Sequence, residues 1–156
     1  MKNYFSFNKT CILFFFFFLS FFVSSAQFPI DNKLIPENVK KNFTERFPKA
    51  GAVVWIQPSP GFLETTFSLD KHSVTAVFSM GMGDCISVDT KLKKEEFPII
   101  AYGYILKVMP DGKIINYYKS ELIKGTEYYS EVKQTGIKYI FTFDKDGNFK
   151  GRMTDE

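Results

Sequence analysis

The sequence predicts an α+β fold: two tandem helix-plus-four-strand repeats forming one curved antiparallel sheet with helices packed on one face. Three observations carry this. An apolar stripe opened by one proline is stopped by another, as in "IPENVKKNFTERFP" (Ile35–Pro48). Alternating segments then follow, separated by Gly, Pro and Asp turns. Finally, the chain repeats itself: "FTERFPKAGAVVW" (Phe43–Trp55) returns sixty-two residues later as "ILKVMPDGKIINY" (Ile105–Tyr117).

Each element has a local reason. Pro36 sits at or near the first helical position, where its missing N–H costs nothing. Ile35, Val39, Phe43 and Phe47 recur four apart and share one helix face. Glu37, Asn38, Lys40, Lys41, Asn42, Thr44, Glu45 and Arg46 make the opposite, solvated face. Pro48 drives Phe47 out of the helical region and ends the helix. "AVVWIQ" is the first strand and "PSPG" its turn. "FLETTFSLD" alternates Leu63, Thr65, Phe67 and Leu69 against Glu64, Thr66 and Ser68. "SVTAVFS" and "CISVD" complete four strands, with "MGMGD" between them. "TKLKKEEF" reads as a charged surface connector.

The plan then recurs. Phe97-Pro98 matches Ile35-Pro36, and Ala101, Ile105 and Met109 match Val39, Phe43 and Phe47. Tyr128, Ser130 and Val132 match Leu63, Thr65 and Phe67, while Tyr139, Phe141 and Phe143 match Val74, Ala76 and Phe78. Repeat 1 spans about 34–89 and repeat 2 about 96–153. Two copies are too few for a solenoid, so one shared sheet is expected.

The first 26 residues stand outside this plan. Lys2 and Lys9 precede an apolar run from Cys11 to Val23, and Ser24-Ser25-Ala26 supplies small residues for cleavage. This is the pattern of a secretory signal peptide cut after Ala26. The apolar run is short of the roughly 20 residues that a membrane span needs. The expectation is a periplasmic or secreted single domain, residues 27–156, with no membrane span after cleavage. Losing Lys2 and Lys9 lowers Lys+Arg from 20 to 18 against 17 acidic residues. Such a balance argues against nucleic acid or an anionic membrane surface as a partner, since both need a clustered basic excess. Cys85 is the one cysteine left, so it is either a partly buried small hydrophobe or half of an intermolecular disulfide.

The run "IPENVKKNFTERFPKA…VVW", the strand pair after it and the closing "YIFTFDKDGNF" resemble the secreted PepSY-like proteins, a group described as similar to beta-lactamase inhibitor protein. The resemblance covers about Leu34 to Phe149. It implies the repeat architecture above and a binding or inhibitory role outside the cytoplasm. It implies no enzyme and carries over no catalytic residue.

The second helix departs from that pattern. The solvated positions of the first helix become Ile99, Ile100, Tyr102, Gly103, Tyr104, Leu106, Lys107 and Val108. A helix that is apolar all round is normally buried on every side. Either the rest of the chain covers it, or Ile99, Ile100, Tyr102, Tyr104 and Leu106 form an interface, with a homo-oligomer as one outcome. A strand reading also stays open, because Ile, Tyr and Val favour strands.

No residue set here supports catalysis, a metal or a cofactor. One His (His72) and one mature Cys cannot build a Cys/His zinc cluster. His72 reads as a solvated turn residue. "DKDGN" (Asp144–Asn148) starts like a calcium loop but lacks the Glu that its twelfth position requires. A hairpin turn explains it better. The remaining candidate surface is the sheet face away from the helices. Alternation places Ile56, Glu64, Thr66, Tyr118, Tyr129, Glu131 and Thr142 there, with few charges among them. Tyr-bearing, weakly charged surfaces suit recognition of a protein or peptide. A small-ligand or metal-sensing envelope protein using Asp144 and Asp146 is the alternative.

Overall fold

The structure, a computed structural model, describes residues 28–155. Helix α1 (Glu37–Arg46) is followed by strands β1 (Gly51–Ser59), β2 (Phe62–Leu69), β3 (His72–Ser79) and β4 (Cys85–Leu92). Helix α2 (Ile99–Val108) then leads to β5 (Lys113–Leu122), β6 (Gly125–Gln134), β7 (Ile137–Phe143) and β8 (Phe149–Asp155). The eight strands form one antiparallel sheet in chain order. The predicted signal peptide lies outside the described residues.

Proline sets both helix starts. Pro36 and Pro98 are the N-caps, in extended conformation, and each helix is closed by the N–H of its last apolar residue, Phe47 to Phe43 and Met109 to Ile105. A short 3-10 turn precedes each helix, Asn32–Leu34 and Lys94–Glu96, again offset by sixty-two. The duplication therefore reaches upstream of the helices. Bulges are repeated too, at Ile114/Asn116 as at Gly51/Val54, and at Thr142/Phe143 as at Val77/Phe78.

Both helices cover the same sheet face but bury separate cores. Under α1, the Phe43 ring meets Trp55 and Phe67 edge-on, with centroids 5.3 and 5.2 Å apart. Phe78, Leu63 and Val74 belong to the same cluster, together with Ile35, Val39 and Phe47 from the helix side. Under α2, Ala101 and Ile105 pack on Val132, Phe141 and Phe143, with Phe97 capping the end. Between the cores the inner face is polar. Val88 on β4 pairs with Glu121 on β5, Glu121 takes Lys119 at 2.7 Å, and Arg46 approaches it at 3.9 Å. Partly exposed ion pairs of this kind contribute little. The two halves are joined by strand pairing more than by shared apolar burial.

Three expectations are corrected. "TKL" is not loop: β4 runs to Leu92, pairing Thr90, Lys91 and Leu92 with Lys119, Tyr118 and Tyr117. Val88, Thr90 and Leu92 continue the inward alternation, and the flanking lysines hid it. Asn38 and Asn42 are not simply solvated. Their side-chain amides donate to the Gly81 and Gly83 carbonyls, at 3.1 and 2.8 Å, docking the β3–β4 turn on α1. His72 is half-buried at the start of β3, with Nδ1 3.0 Å from the Lys91 carbonyl oxygen and Nε2 3.4 Å from Glu96.

Helix α2 is a helix, so the strand alternative fails. The repeat explains part of its apolar surface. Ile100 and Tyr104 stand where Asn38 and Asn42 stand in α1, and they dock the matching β7–β8 turn by apolar contact. Tyr104 stacks on Phe149 at 4.5 Å, and Gly147 packs beside Pro98 and Ile100. Tyr102 leans on Tyr117, ring centroids 6.5 Å apart. Ile99 (79 % exposed), Leu106 and Val108 remain open to solvent.

Candidate binding face

The strand registers put all seven predicted face residues on the side away from the helices. Ile56 pairs with Glu64, Val54 with Thr66, Tyr118 with Tyr129, and Tyr129 with Thr142; Glu131 lies opposite Ile140. Directly opposed residues point the same way, and their inward neighbours Trp55, Leu63, Thr65, Ser130 and Phe141 are buried. No described element covers this face.

Its centre is a tyrosine pair. Tyr118 and Tyr129 stack with centroids 4.6 Å apart and planes 15° from parallel. Cross-strand aromatic pairs contribute about 0.2–1 kcal/mol relative to an Ala–Ala pair. Burial holds the Tyr129 phenol far above the usual tyrosine range, and the Asp89 charge and hydrogen bond reinforce this. Tyr118 is raised as well, by burial and then by the Glu131 charge. Both therefore present neutral hydroxyls. Toward β1, burial raises the Glu64 carboxyl, and the Asp89 charge adds to it. Thr66 and Thr75 place their hydroxyl oxygens 3.3 Å apart. Toward β8, Glu131 accepts from Asn116 and pairs with Lys138 at 3.6 Å.

Asp89 was missed by sequence reasoning. It pairs with Thr75 on one side and Ser120 on the other, in the middle of the face. One of its carboxylate oxygens is fully buried without a hydrogen-bond partner. Asp89 already stood in the strand "CISVD", and alternation about the inward Val88 was enough to place it on this face. The predicted interface residues of α2 divide into two groups. Tyr102 and Tyr104 turn onto Tyr117 and Phe149, leaving Ile99, Ile100 and Leu106 outward.

The other candidates resolve locally. The Asp144 carboxylate accepts the backbone N–H groups of Asp146 and Asn148 at 2.9 and 2.8 Å. Bonds from the Asn148 side chain and backbone lower its pKa below the usual carboxylate range. It closes its own hairpin turn. Cys85 is free and half-buried, and burial pushes its thiol pKa up. Among the described residues no helix is long and apolar enough to cross a membrane.

The sequence matches no protein-family profile and no curated protein. Solved structures do match. A DUF2874 family protein from Bacteroides uniformis superposes with a TM-score of 0.69 at 18 % identity, over 76 % of this chain and 88 % of that one. Another DUF2874 family protein, from Bacteroides ovatus, gives 0.68 at 20 % identity, covering 76 % and 86 %. A BLIP-like protein from Bacteroides fragilis gives 0.66 at 15 % identity, covering 76 % and 85 %. The chain has the fold of these proteins: a BLIP-like arrangement of two helices on one face of an open eight-stranded antiparallel sheet.

Proposed function

We propose that the protein is a non-enzymatic binding module that engages a protein or peptide through the open sheet face. The carrying observation is the stacked Tyr118–Tyr129 pair at the centre of an uncovered face. Tyrosine offers large, stiff contact area with a polar tip, the composition enriched where interfaces concentrate their energy. The BLIP-like fold and the PepSY-like sequence pattern support the same reading, and the signal-peptide pattern ending at Ala26 supports a module that works in the periplasm or outside the cell.

The test is Tyr118→Ala with Tyr129→Ala. Envelope proteins retained by the natural protein are identified, and affinity for each is then measured for both forms. A loss of at least about 2 kcal/mol, some thirtyfold, is expected, with the double variant less stable but still cooperatively folded at the assay temperature. Equal affinities would remove the face from the reading. A second reading, a homo-oligomer built on α2, draws on the exposure of Ile99, Ile100 and Leu106. Sedimentation at high concentration separates it, because a monomer excludes it.

A further inference from the structure

The duplication exposes a difference between the two halves that packing alone does not require. In the second half, the Tyr102 ring leans on Tyr117, with Lys94 Nζ 4.6 Å from the Tyr102 centroid. Subtracting sixty-two residues gives the first-half equivalents: Lys40 for Tyr102, Trp55 for Tyr117, Asn32 for Lys94, and Thr44 for Leu106. No aromatic ring stands at the Tyr102 position there. Beside Lys40 there is a partly open cavity of about 460 Å³. Lys40, Trp55, Asn32 and Thr44 are all in its lining, joined by the arm at Ile30 and by β1, and Phe43 is its floor. Its volume lies within the range of small-molecule sites, roughly 300–1,000 Å³.

We infer that this cavity binds a small aromatic carboxylate, whose ring takes the place that Tyr102 fills in the second half. The floor suits a ring, since Phe43 and Trp55 already meet edge to face. The rim suits an anion. Among the described residues Lys40 Nζ holds only the exposed Glu37, at 2.8 Å, a surface pair worth less than about 1 kcal/mol. It keeps two further donors. The Asn32 side-chain amide has no hydrogen-bond partner among the described residues. The Thr44 hydroxyl is committed to the Lys40 carbonyl oxygen at 2.8 Å, so it shapes the wall without donating inward. This site opens at the β1 edge, touching the sheet face only through Val54, and does not rest on the role proposed for that face.

Trp55 is the chain's sole tryptophan, so its fluorescence reports the cavity directly. The natural protein is titrated with phenylacetate, with cyclohexylacetate and with benzyl alcohol. Phenylacetate is expected to change Trp55 emission with a Kd below about 1 mM, the other two binding at least about tenfold more weakly. The double substitution Lys40→Tyr with Thr44→Leu copies the second half and fills the cavity. It is expected to abolish the response and raise the melting temperature. Lys40→Met keeps the cavity open and should erase the preference for phenylacetate over benzyl alcohol. No response of the natural protein to about 10 mM phenylacetate would overturn the inference. Equal binding of cyclohexylacetate, an unchanged response in the filled variant, or an unchanged preference in Lys40→Met would each do the same.

Discussion

Gly147 is where the repeat geometry can be tested as energy. It sits in the β7–β8 turn with φ +84°, and a Cβ built there lies 2.9 Å from Pro98 Cβ and 3.4 Å from the Ala101 backbone nitrogen. Gly61, in the β1–β2 turn, has φ +86° but nothing within 4 Å of such a Cβ. The two glycines share one conformational term and differ in one steric term. Left-handed backbone costs an alanine about 1–2 kcal/mol. Overpacking against an N-cap proline that cannot rotate away adds about 1–3 kcal/mol. Gly61→Ala should therefore destabilise by about 1 kcal/mol and Gly147→Ala by about 3 kcal/mol. Urea unfolding followed by far-ultraviolet circular dichroism, beside Trp55 emission, measures both. Trp55 lies in the first core only, so agreement of the two probes also tests whether the halves unfold together. If Gly147→Ala costs no more than Gly61→Ala by either probe, the turn does not press on α2, and the docking described here is wrong.

Two further outcomes follow from the same contacts. Asn42→Asp keeps shape but replaces the donor to the Gly83 carbonyl with a carboxylate oxygen, and should cost about 1–3 kcal/mol at neutral pH. Urea midpoints should recover part of that loss in acid, where the protonated Asp can donate again. Glu64 has its folded pKa raised by burial and by Asp89, so the native state binds its proton more tightly than the unfolded state does. Its ionised form is a cost that is present above the folded pKa and relieved as pH falls through it. Glu64→Gln should therefore stabilise at neutral pH by less than about 1 kcal/mol, an advantage that disappears in acid; urea midpoints at the two pH values check this.

The legible parts of the fold were those written as period and punctuation. Ile35, Val39, Phe43 and Phe47 at four-residue spacing between two prolines define α1, and Leu63, Thr65 and Phe67 against Glu64 and Thr66 define both faces of β2. Because alternation is strict, the outer positions of Tyr118, Tyr129 and Thr142 could be read before any contact was known. What stayed hidden was chemistry shared between distant segments. Asn38 and Asn42 look like wetted helix residues until the turn at Gly81–Gly83 is laid on them. Lys91 reads as loop until Tyr118 is placed opposite it. The cavity beside Trp55 has no sequence signature of its own. It becomes visible only when Lys40 is compared with Tyr102 at known positions.

The duplication also raises a question of termination. The joint between the halves is β4 against β5, the end of one repeat pairing with the start of the next. Repeated without limit, that joint would add strands at both edges and turn the chain into a fibre. Each edge carries a device against it. At β1, the arm preceding α1 already donates Ile30 N–H to the Trp55 carbonyl at 2.8 Å, the place that Leu92 takes opposite Tyr117 in the second half. Further along the same edge strand, Pro58 has no N–H to offer. At β8, Arg152 replaces the inward Val88 of β4, its guanidinium lying over the Tyr139 and Phe141 rings at 5.3 and 5.9 Å. A third repeat packing there would have to bury that charge without a partner, which costs several kcal/mol. With both edges closed against further strands, the surfaces left to distinguish this chain from a bare pair of repeats are the uncovered sheet face and the cavity beside Trp55.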